Sequence, residues 1–280
     1  MNITILGHVC IDNNKTEGIV YNGAGSPAMF IARVYGQFPQ AKVQIISPYG
    51  SDFSRYIDTV SIYPLSPQGD KTLIYENNSE GNLRTQKALN REFTRPIPID
   101  EGLIKRMEKS DIIYFAPLTP AYEVEYVKKC FSYVPKDTLK IFLPQGYCRD
   151  FTRDDEVIQR TFVEAKDLVP LFDFVIVSEQ DHQDMLSITR KWAEEIKVIM
   201  TMGDKGAMYL DRMHSFIVHT VKVPVKDVVS PIGSGDIFSA SFGYMYRLTQ
   251  DVRQSLEFAN NIARQCLFFK ADNLHFTLPK

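Results

Sequence analysis

The feature that most limits the fold of this chain is a series of apolar runs, each about as long as a buried strand. These runs occupy residues 3–6, 43–47, 111–115, 139–143, 172–177 and 198–202. Segments with a helical spacing of apolar residues lie between several of them, at 29–35, 122–131 and 157–165. Continuous apolar strands are typical of parallel sheets that helices cover on both faces. The pattern therefore predicts a doubly wound α/β fold with a mostly parallel sheet.

Two segments, 16–21 and 59–94, interrupt this alternation of strands and helices. They are polar and strand-rich and contain no helical pattern. A cluster of turn-forming residues at 77–81 predicts a hairpin within the second segment. We expect the two segments to form a small β-lid inserted into a single α/β domain that spans residues 1–280. The lid either closes over a ligand or pairs with a second copy as a homodimer. The apolar face of the lid is predicted to consist of Tyr21, Leu73, Tyr75 and Leu83.

The charge balance and the cysteines exclude several classes of protein. Lys and Arg total 32 against 34 Asp and Glu, and no basic stripe recurs, so nucleic acid is not an expected partner. The cysteines match no metal-ligand spacing, which predicts buried, reduced thiols. The first ten residues lack the basic region of a signal peptide, and no apolar run is as long as a membrane helix. We therefore expect a cytoplasmic protein with no membrane contact that binds a small molecule.

One motif carries the chemistry: Gly233, Ser234, Gly235 and Asp236 precede an apolar helical pattern. Glycines let backbone N–H groups converge at the start of a helix, where the helix dipole adds positive charge. Such a turn is an anion hole suited to a phosphate. An aspartate in a first helical turn has two interpretations, because it either acts on a ligand or only compensates the helix dipole. The motif alone leaves both open.

Further motifs occur at the predicted strand ends. The strand 198–202 is followed by a Thr-x-Gly-x-x-Gly sequence, an aspartate follows each of the first two strands, and paired glycines precede the first long helix. In chain order these residues are Asp12, Gly23, Gly25, Asp52, Thr201, Gly203 and Gly206. Each motif is weak alone. Together, and in this order, they resemble the ribokinase-like (phosphofructokinase-B) family of carbohydrate and nucleoside kinases.

The resemblance implies a role for each matching residue. In that family the aspartate corresponding to Asp236 is the catalytic base, and the preceding amides, here of Gly233, Ser234 and Gly235, form the anion hole. The resemblance also implies that ATP lies against the Thr-x-Gly-x-x-Gly turn. That turn corresponds to Thr201, Gly203 and Gly206. Substrate-side positions of the family correspond to Asp12, Gly23, Gly25 and Asp52.

Residues 143–149 resemble a stretch of some family members, including plant inositol kinases, which implies that Gln145 and Arg149 bind substrate. A solvent-exposed arginine is the alternative for Arg149. The family's Asn-x-x-Glu motif, linked to Mg²⁺, is matched loosely by Ser178 and Asp181, so Asp181 would hold the metal through water. Ser230 and Pro27 also depart from the sugar-kinase pattern.

We therefore predict an ATP- and Mg²⁺-dependent kinase that phosphorylates a hydroxyl of a small sugar or an inositol-like polyol. A nucleoside kinase of the same family is the near alternative. A regulatory protein that binds a sugar or nucleotide and has lost turnover is the alternative from another class, favoured by the departures from the family pattern. The intact loop before Asp236 favours an enzyme, because a binding module has little use for a base beside an anion hole.

Overall fold

The computed structural model describes residues 1–16, 19–80, 83–270 and 273–278. The strands in this part of the chain are β1 Asn2–Gly7, β2 Cys10–Thr16, β3 Ile19–Gly25, β4 Lys42–Ile46, β5 Ser61–Tyr63, β6 Ile74–Glu80, β7 Leu83–Leu89, β8 Ile112–Ala116, β9 Leu139–Phe142, β10 Arg149–Phe151, β11 Val157–Gln159, β12 Phe174–Ser178, β13 Lys197–Thr201, β14 Ala207–Leu210 and β15 Ser215–Val218. The α-helices are α1 Pro27–Tyr35, α2 Glu101–Met107, α3 Val124–Phe131, α4 Ala165–Leu168, α5 Met185–Trp192, α6 Ser234–Thr249 and α7 Val252–Cys266. Short 3₁₀ turns connect several of these elements.

The main sheet has nine strands in the order β15-β14-β13-β12-β9-β8-β1-β4-β5. The strands from β13 to β5 are parallel, whereas β14 pairs antiparallel with both of its neighbours. All six apolar runs in the sequence coincide with parallel strands of this sheet. Consecutive side chains of a strand point to opposite faces, so a continuous apolar run supplies both faces with core residues.

Helices cover both faces, and each face has its own apolar core. On one face α1, α6 and α7 pack around residues such as Ile5, Phe30 and Phe242. On the other face α2, α3 and α5 pack around Leu6, Phe115 and Met185. The predicted doubly wound, mostly parallel α/β fold is confirmed. In such a fold ligands bind at the carboxyl ends of the parallel strands.

A second sheet of four strands, β3-β2-β6-β7, corresponds to the predicted lid and is called the lid below. The predicted bounds of the lid segments were wrong in part. Its first half is the antiparallel pair β2–β3, which begins at Cys10. The sequence did not indicate β2 because only its first two residues, Cys10 and Ile11, are apolar. In its second half, β5 belongs instead to the edge of the main sheet. Strand β6 continues to Glu80, so the predicted turn at 77–81 falls largely within a strand, and residues 81 and 82 lie outside the described part.

The predicted apolar face of the lid packs inward. Leu73 and Tyr75 are buried with Cys10, Ala88 and Leu118 in a small cluster at the base of the lid. Tyr21 packs against the core of the main domain, and the side chain of Leu83 lies outside the described residues. The lid is therefore joined to the body by an apolar base. The homodimer stays a prediction.

The helix predicted for residues 157–165 was wrong. Val157–Gln159 form β11, which pairs antiparallel with β10. β-branched side chains such as Val157, Ile158 and Val163 lose rotamer freedom in a helix, so the spacing was a poor guide here. The β10–β11 hairpin lies beside the lid, where the Ala88 N–H donates to the Asp155 carbonyl over 2.9 Å.

The four cysteines are buried free thiols, as predicted. In the described segments, no helix combines the length and the apolar character needed to cross a membrane.

Candidate active site

A cavity of about 700 Å³ lies between the lid, the β10–β11 hairpin and the carboxyl ends of β12 and β13. Ten of the predicted site residues line it: Gln145, Arg149, Asp181, Thr201, Gly203, Gly206, Gly233, Ser234, Gly235 and Asp236. They come from distant parts of the chain and meet here because parallel strands end at one edge of the sheet. Asp12 lies nearby, since its charge acts on Asp236.

The two positions of the anion-hole motif require glycine for different physical reasons. Gly233 precedes α6 with φ 75°, a left-handed conformation, and an added Cβ would lie 2.6 Å from the ring of Phe30. Gly233 therefore allows both the turn and the close packing on α1. An added Cβ on Gly235 would meet no protein atom within 4 Å. Gly235 leaves open space at the helix N-terminus, where backbone N–H groups can donate hydrogen bonds to an anion.

Asp236 lies in the first turn of α6 and faces the cavity. Burial raises the pKa of its carboxyl to about 8, and the negative charges of Asp12 and Asp181 add to this rise. The guanidinium of Arg149 opposes it. A carboxyl with a pKa near neutral pH can accept a proton and release it, which is the property of a general base. Dipole compensation alone does not account for this environment.

Arg149 begins β10 and is half-buried, so the alternative of a simple surface arginine is not favoured. Its guanidinium lies 5.0 Å from the centre of the Tyr75 ring, and the Tyr75 hydroxyl donates to the Leu118 carbonyl over 2.7 Å. Arg149 lowers the pKa of both Asp12 and Asp236. It is therefore a cation that partly balances the carboxylates of the site.

Asp12 is buried in lid strand β2, and burial raises the pKa of its carboxyl to about 6. The Cys10 thiol donates to its Oδ1 over 3.3 Å. Gly25 is opposite Cys10 in the β2–β3 pair, and a Cβ on Gly25 would lie 2.0 Å from Asp12 Oδ2. Gly25 thus makes space for the carboxylate. Gly23 is opposite Asp12 and packs against the Tyr21 hydroxyl.

Asp52 does not line the cavity. Its carboxylate accepts hydrogen bonds from the Thr72 hydroxyl over 2.6 Å and from the Thr72 N–H over 3.2 Å. The Thr72 hydroxyl oxygen also accepts from the Gly50 N–H over 2.9 Å. These bonds attach the chain after β4 to the segment that enters β6. The geometry accounts for Asp52 as an anchor of the lid.

The Thr-x-Gly-x-x-Gly turn lies at the other end of the cavity, after β13. The Thr201 hydroxyl donates to the Val177 carbonyl over 3.2 Å. Gly203 and Gly206 have φ 57° and 101°, and a Cβ on Gly206 would lie 2.1 Å from the Val218 carbonyl oxygen. Only glycine satisfies both conditions at 206. The turn therefore presents backbone, with few side chains, to whatever occupies this end.

Sequence reasoning missed most of the lining at this end. The segment after β15 and one face of α7 supply Thr220, Val221, Lys222, Val223, Val228, Asn260, Ala263, Arg264 and Leu267. None belongs to a motif, because apolar contacts need no particular residue spacing. One signal was available: Asn260 is a polar residue on the buried face of an amphipathic helix, and its amide donates to the Val218 carbonyl over 2.9 Å.

Asp181 lies two residues beyond Glu179 in the turn after β12. The Ser178 N–H donates to Asp181 Oδ2 over 2.8 Å, which directs the carboxylate towards the end of the sheet. Among the described residues, no three acidic, histidine or cysteine side chains come together as a metal-binding group.

A doubly wound sheet, a glycine turn opening a helix at the strand ends and a β-lid above them define a ribokinase-like fold. The model of the pfkB family of carbohydrate kinases matches residues 56–270. The chain belongs to the pfkB family of carbohydrate kinases. The family predicted from the sequence is confirmed.

Individual relatives are distant. The chain is 23% identical over 212 residues to 2-dehydro-3-deoxygluconokinase of Haemophilus influenzae, a match that covers 71% of this chain and 63% of that protein. A pyrophosphate-dependent kinase in the ribokinase family, complexed with a pyrophosphate analog and myo-inositol, has TM-score 0.72 and 15% identity, covering 93% of each chain. A putative ribokinase II from E. coli, in complex with ATP and Mg²⁺, has TM-score 0.67 and 20% identity, covering 96% of this chain and 93% of that one. At these identities the two structures show the shared fold alone.

Proposed function

We propose that this protein transfers the terminal phosphoryl group of ATP to a hydroxyl of a small sugar or polyol, with Asp236 as the general base. The observation that carries this proposal is the position of Asp236. Its carboxyl, with a pKa of about 8, lies in the first turn of α6 beside the open space at Gly235. A base and an anion hole in one helical turn suit a hydroxyl that attacks a phosphate.

The proposed reaction moves one proton and one phosphoryl group. The acceptor hydroxyl gives its proton to the Asp236 carboxylate while its oxygen forms a bond to the γ-phosphorus of ATP. At the same time the bond between the γ-phosphorus and the β,γ-bridging oxygen breaks. ADP and the phosphorylated acceptor leave, and Asp236 returns the proton to solvent. The N–H groups at Gly233, Ser234 and Gly235 would hold the transferring oxygens, since positioning and charge stabilisation dominate phosphoryl transfer. Bound Mg²⁺ would neutralise phosphate charge, with Asp181 holding it through water.

The lining of the donor end supports a nucleotide over pyrophosphate. Val221, Val223, Val228, Ala263 and Leu267 give this end an apolar surface beside the glycine turn. Val221 is 67% exposed. Apolar surface left open in a cavity suits a flat base, whereas pyrophosphate has no apolar part to bury.

The lining of the lid end supports a hydroxyl-rich acceptor over a nucleoside. Amide and charged groups predominate there, namely those of Gln86, Gln145, Arg149 and Gln159. Tyr75, an aromatic residue of the lid, is 2% exposed and faces Arg149, so its ring is not free to stack on a base. Amides both donate and accept hydrogen bonds, as hydroxyls do.

The test is a transfer assay with ATP and pyrophosphate as donors and a panel of sugars, inositols and nucleosides as acceptors. Phosphorylated polyol or sugar formed from ATP, and lost in Asp236→Asn, would support the proposal. The Ala263→Leu variant should weaken ATP use and leave any pyrophosphate use unchanged, because it fills only the apolar end. Ligand binding without transfer to any acceptor would favour the regulatory alternative.

A further inference from the structure

One face of the lid carries a row of side-chain amides that no motif had indicated. Asn14 of β2 is opposite Asn77 of β6, and Asn77 is opposite Gln86 of β7. We call these three residues the amide row. Asp12 lies two residues before Asn14 on the same strand, so its side chain points to the same face as the row.

The amide row is connected by hydrogen bonds that all run in one direction. The Gln86 amide nitrogen donates to Asn77 Oδ1 over 2.5 Å, and the Asn77 amide nitrogen donates to Asn14 Oδ1. A hydrogen bond from Asn14 to the Asp12 carboxylate in turn lowers the pKa of Asp12. Each amide therefore directs its N–H₂ towards Asp12, and the oxygens of Asn77 and Asn14 each accept from the amide before them. A chain of this kind polarises its members, which strengthens each bond.

The two ends of the amide row differ in exposure. Asn14 is buried and Asp12 is 8% exposed, so this end is fixed inside the protein. Gln86 lines the cavity, and its oxygen has no hydrogen-bond partner among the residues that the structure describes. A half-used amide at a cavity wall can accept a hydrogen bond from a ligand hydroxyl.

We infer that the amide row is the element of the lid that recognises the acceptor, a neutral molecule carrying several hydroxyls. Gln86 accepts a hydrogen bond from one acceptor hydroxyl, while Asn14 and Asn77 are positioning residues that hold the Asp12 carboxylate towards the others. The inference rests on the proposed function for the identity of the bound molecule. Among the charges that act on Asp236, the carboxylates of Asp12 and Asp181 outnumber the guanidinium of Arg149, so a negative charge on the acceptor is unfavourable here.

The spacing of the lid favours an acceptor whose hydroxyls are well separated. Gln86 and Asp12 are separated by two strands and two residues, which places their backbones roughly 12 Å apart. A molecule that touches both side chains needs hydroxyls at opposite ends.

The test uses Asn77→Leu, which removes the central member of the row. The control is Asn78→Leu, because Asn78 is the next residue of the same strand, is exposed and points to the other face. The first readout needs no turnover: ¹³C-labelled aspartate carboxyls are titrated by NMR, and the Asp12 signal is assigned by its loss in Asp12→Asn. Other groups that influence Asp12 are Cys10, Arg33, Arg149 and Asp236, and all are unchanged in both variants.

The expected result is that Asn77→Leu raises the midpoint of the Asp12 titration above the wild-type value of about 6. The raised midpoint follows because Asn14, without its partner, no longer holds the donor that favours the carboxylate. The acceptor KM should rise roughly 3- to 10-fold, as for a lost hydrogen bond, with the ATP KM unchanged. Asn78→Leu should change neither quantity.

If Asn77→Leu unfolds the lid, Asn77→Ala also removes the donor to Asn14, with a smaller side chain and no added charge. It should raise the Asp12 midpoint as well. An unchanged midpoint in both variants, or an equal change in Asn78→Leu, would overturn the inference. Failure of the proposed function can be distinguished from failure of this inference. In that case the wild-type protein would phosphorylate no acceptor, whatever the Asp12 titration shows.

Discussion

Two glycines precede Asp236, and replacing each with alanine adds one methyl group. The two substitutions should separate a structural role from a functional one. In Gly235→Ala the new Cβ meets no protein atom within 4 Å and lies in the first turn of α6. Alanine is favoured over glycine in a helix by roughly 0.5–1 kcal/mol. At about 2–4 °C per kcal/mol for a chain of this size, the melting temperature should rise by about 1–4 °C.

The same methyl group should nearly abolish turnover. It would occupy the space where an oxygen of the transferring phosphate approaches the N–H groups of the turn. Loss of one such contact typically lowers kcat by about 10²–10³-fold. A variant that is more stable and inactive is hard to explain by misfolding.

Gly233→Ala gives the opposite outcome for stability. Its φ of 75° and the Phe30 ring at 2.6 Å make an added Cβ costly, together by roughly 2–5 kcal/mol. Gly36→Ala is the control, because Gly36 has φ −60° at the end of α1 and lies away from the cavity. The assays are thermal unfolding by circular dichroism and ADP release in the presence of acceptor. A Gly235→Ala protein with near-normal kcat would refute the assignment of this turn as the anion hole.

Three other outcomes are expected. The rate constant kcat/KM should increase with pH and level off above about 8, since Asp236 must be deprotonated to act as a base. Arg149→Gln should move that increase to higher pH because it removes the positive charge that lowers the pKa of Asp236; a profile that is flat across this range would contradict the role of Asp236. Asp12→Ala should raise the acceptor KM and leave the ATP KM unchanged, whereas equal loss of both would indicate a structural role. Amide exchange in β6 and β7 should be fast in the free protein and slowed by acceptor plus nucleotide, and full protection in both states would argue against lid closure.

Much of the fold was accessible from local patterns. The six apolar runs predicted the parallel strands correctly because burial on both faces requires continuous apolar sequence. The glycines at 203, 206 and 233 could also be recognised as motif members. Each has a positive φ that other residues rarely adopt, so glycine is needed at that position. These properties depend only on a short segment and its own backbone, so they can be predicted directly from the sequence.

The errors share one cause. The spacing in residues 157–165 fits a helix, but β10 offered hydrogen-bond partners to Val157–Gln159. Strand β2 has too few apolar residues for recognition from sequence, and it exists because β3 and β6 pair with it. A strand depends on partners that are distant in the chain, whereas a helix satisfies its own backbone.

The sequence by itself determined the class of fold, the family and the turn that carries Asp236. Only the tertiary structure decided which charged groups meet there: Asp12, Asp181 and Arg149 around Asp236. It also placed Asp52 at the base of the lid and the amide row above the cavity. Electrostatic effects and hydrogen bonds depend on distances of a few ångströms, and only packing brings residues so far apart in sequence that close.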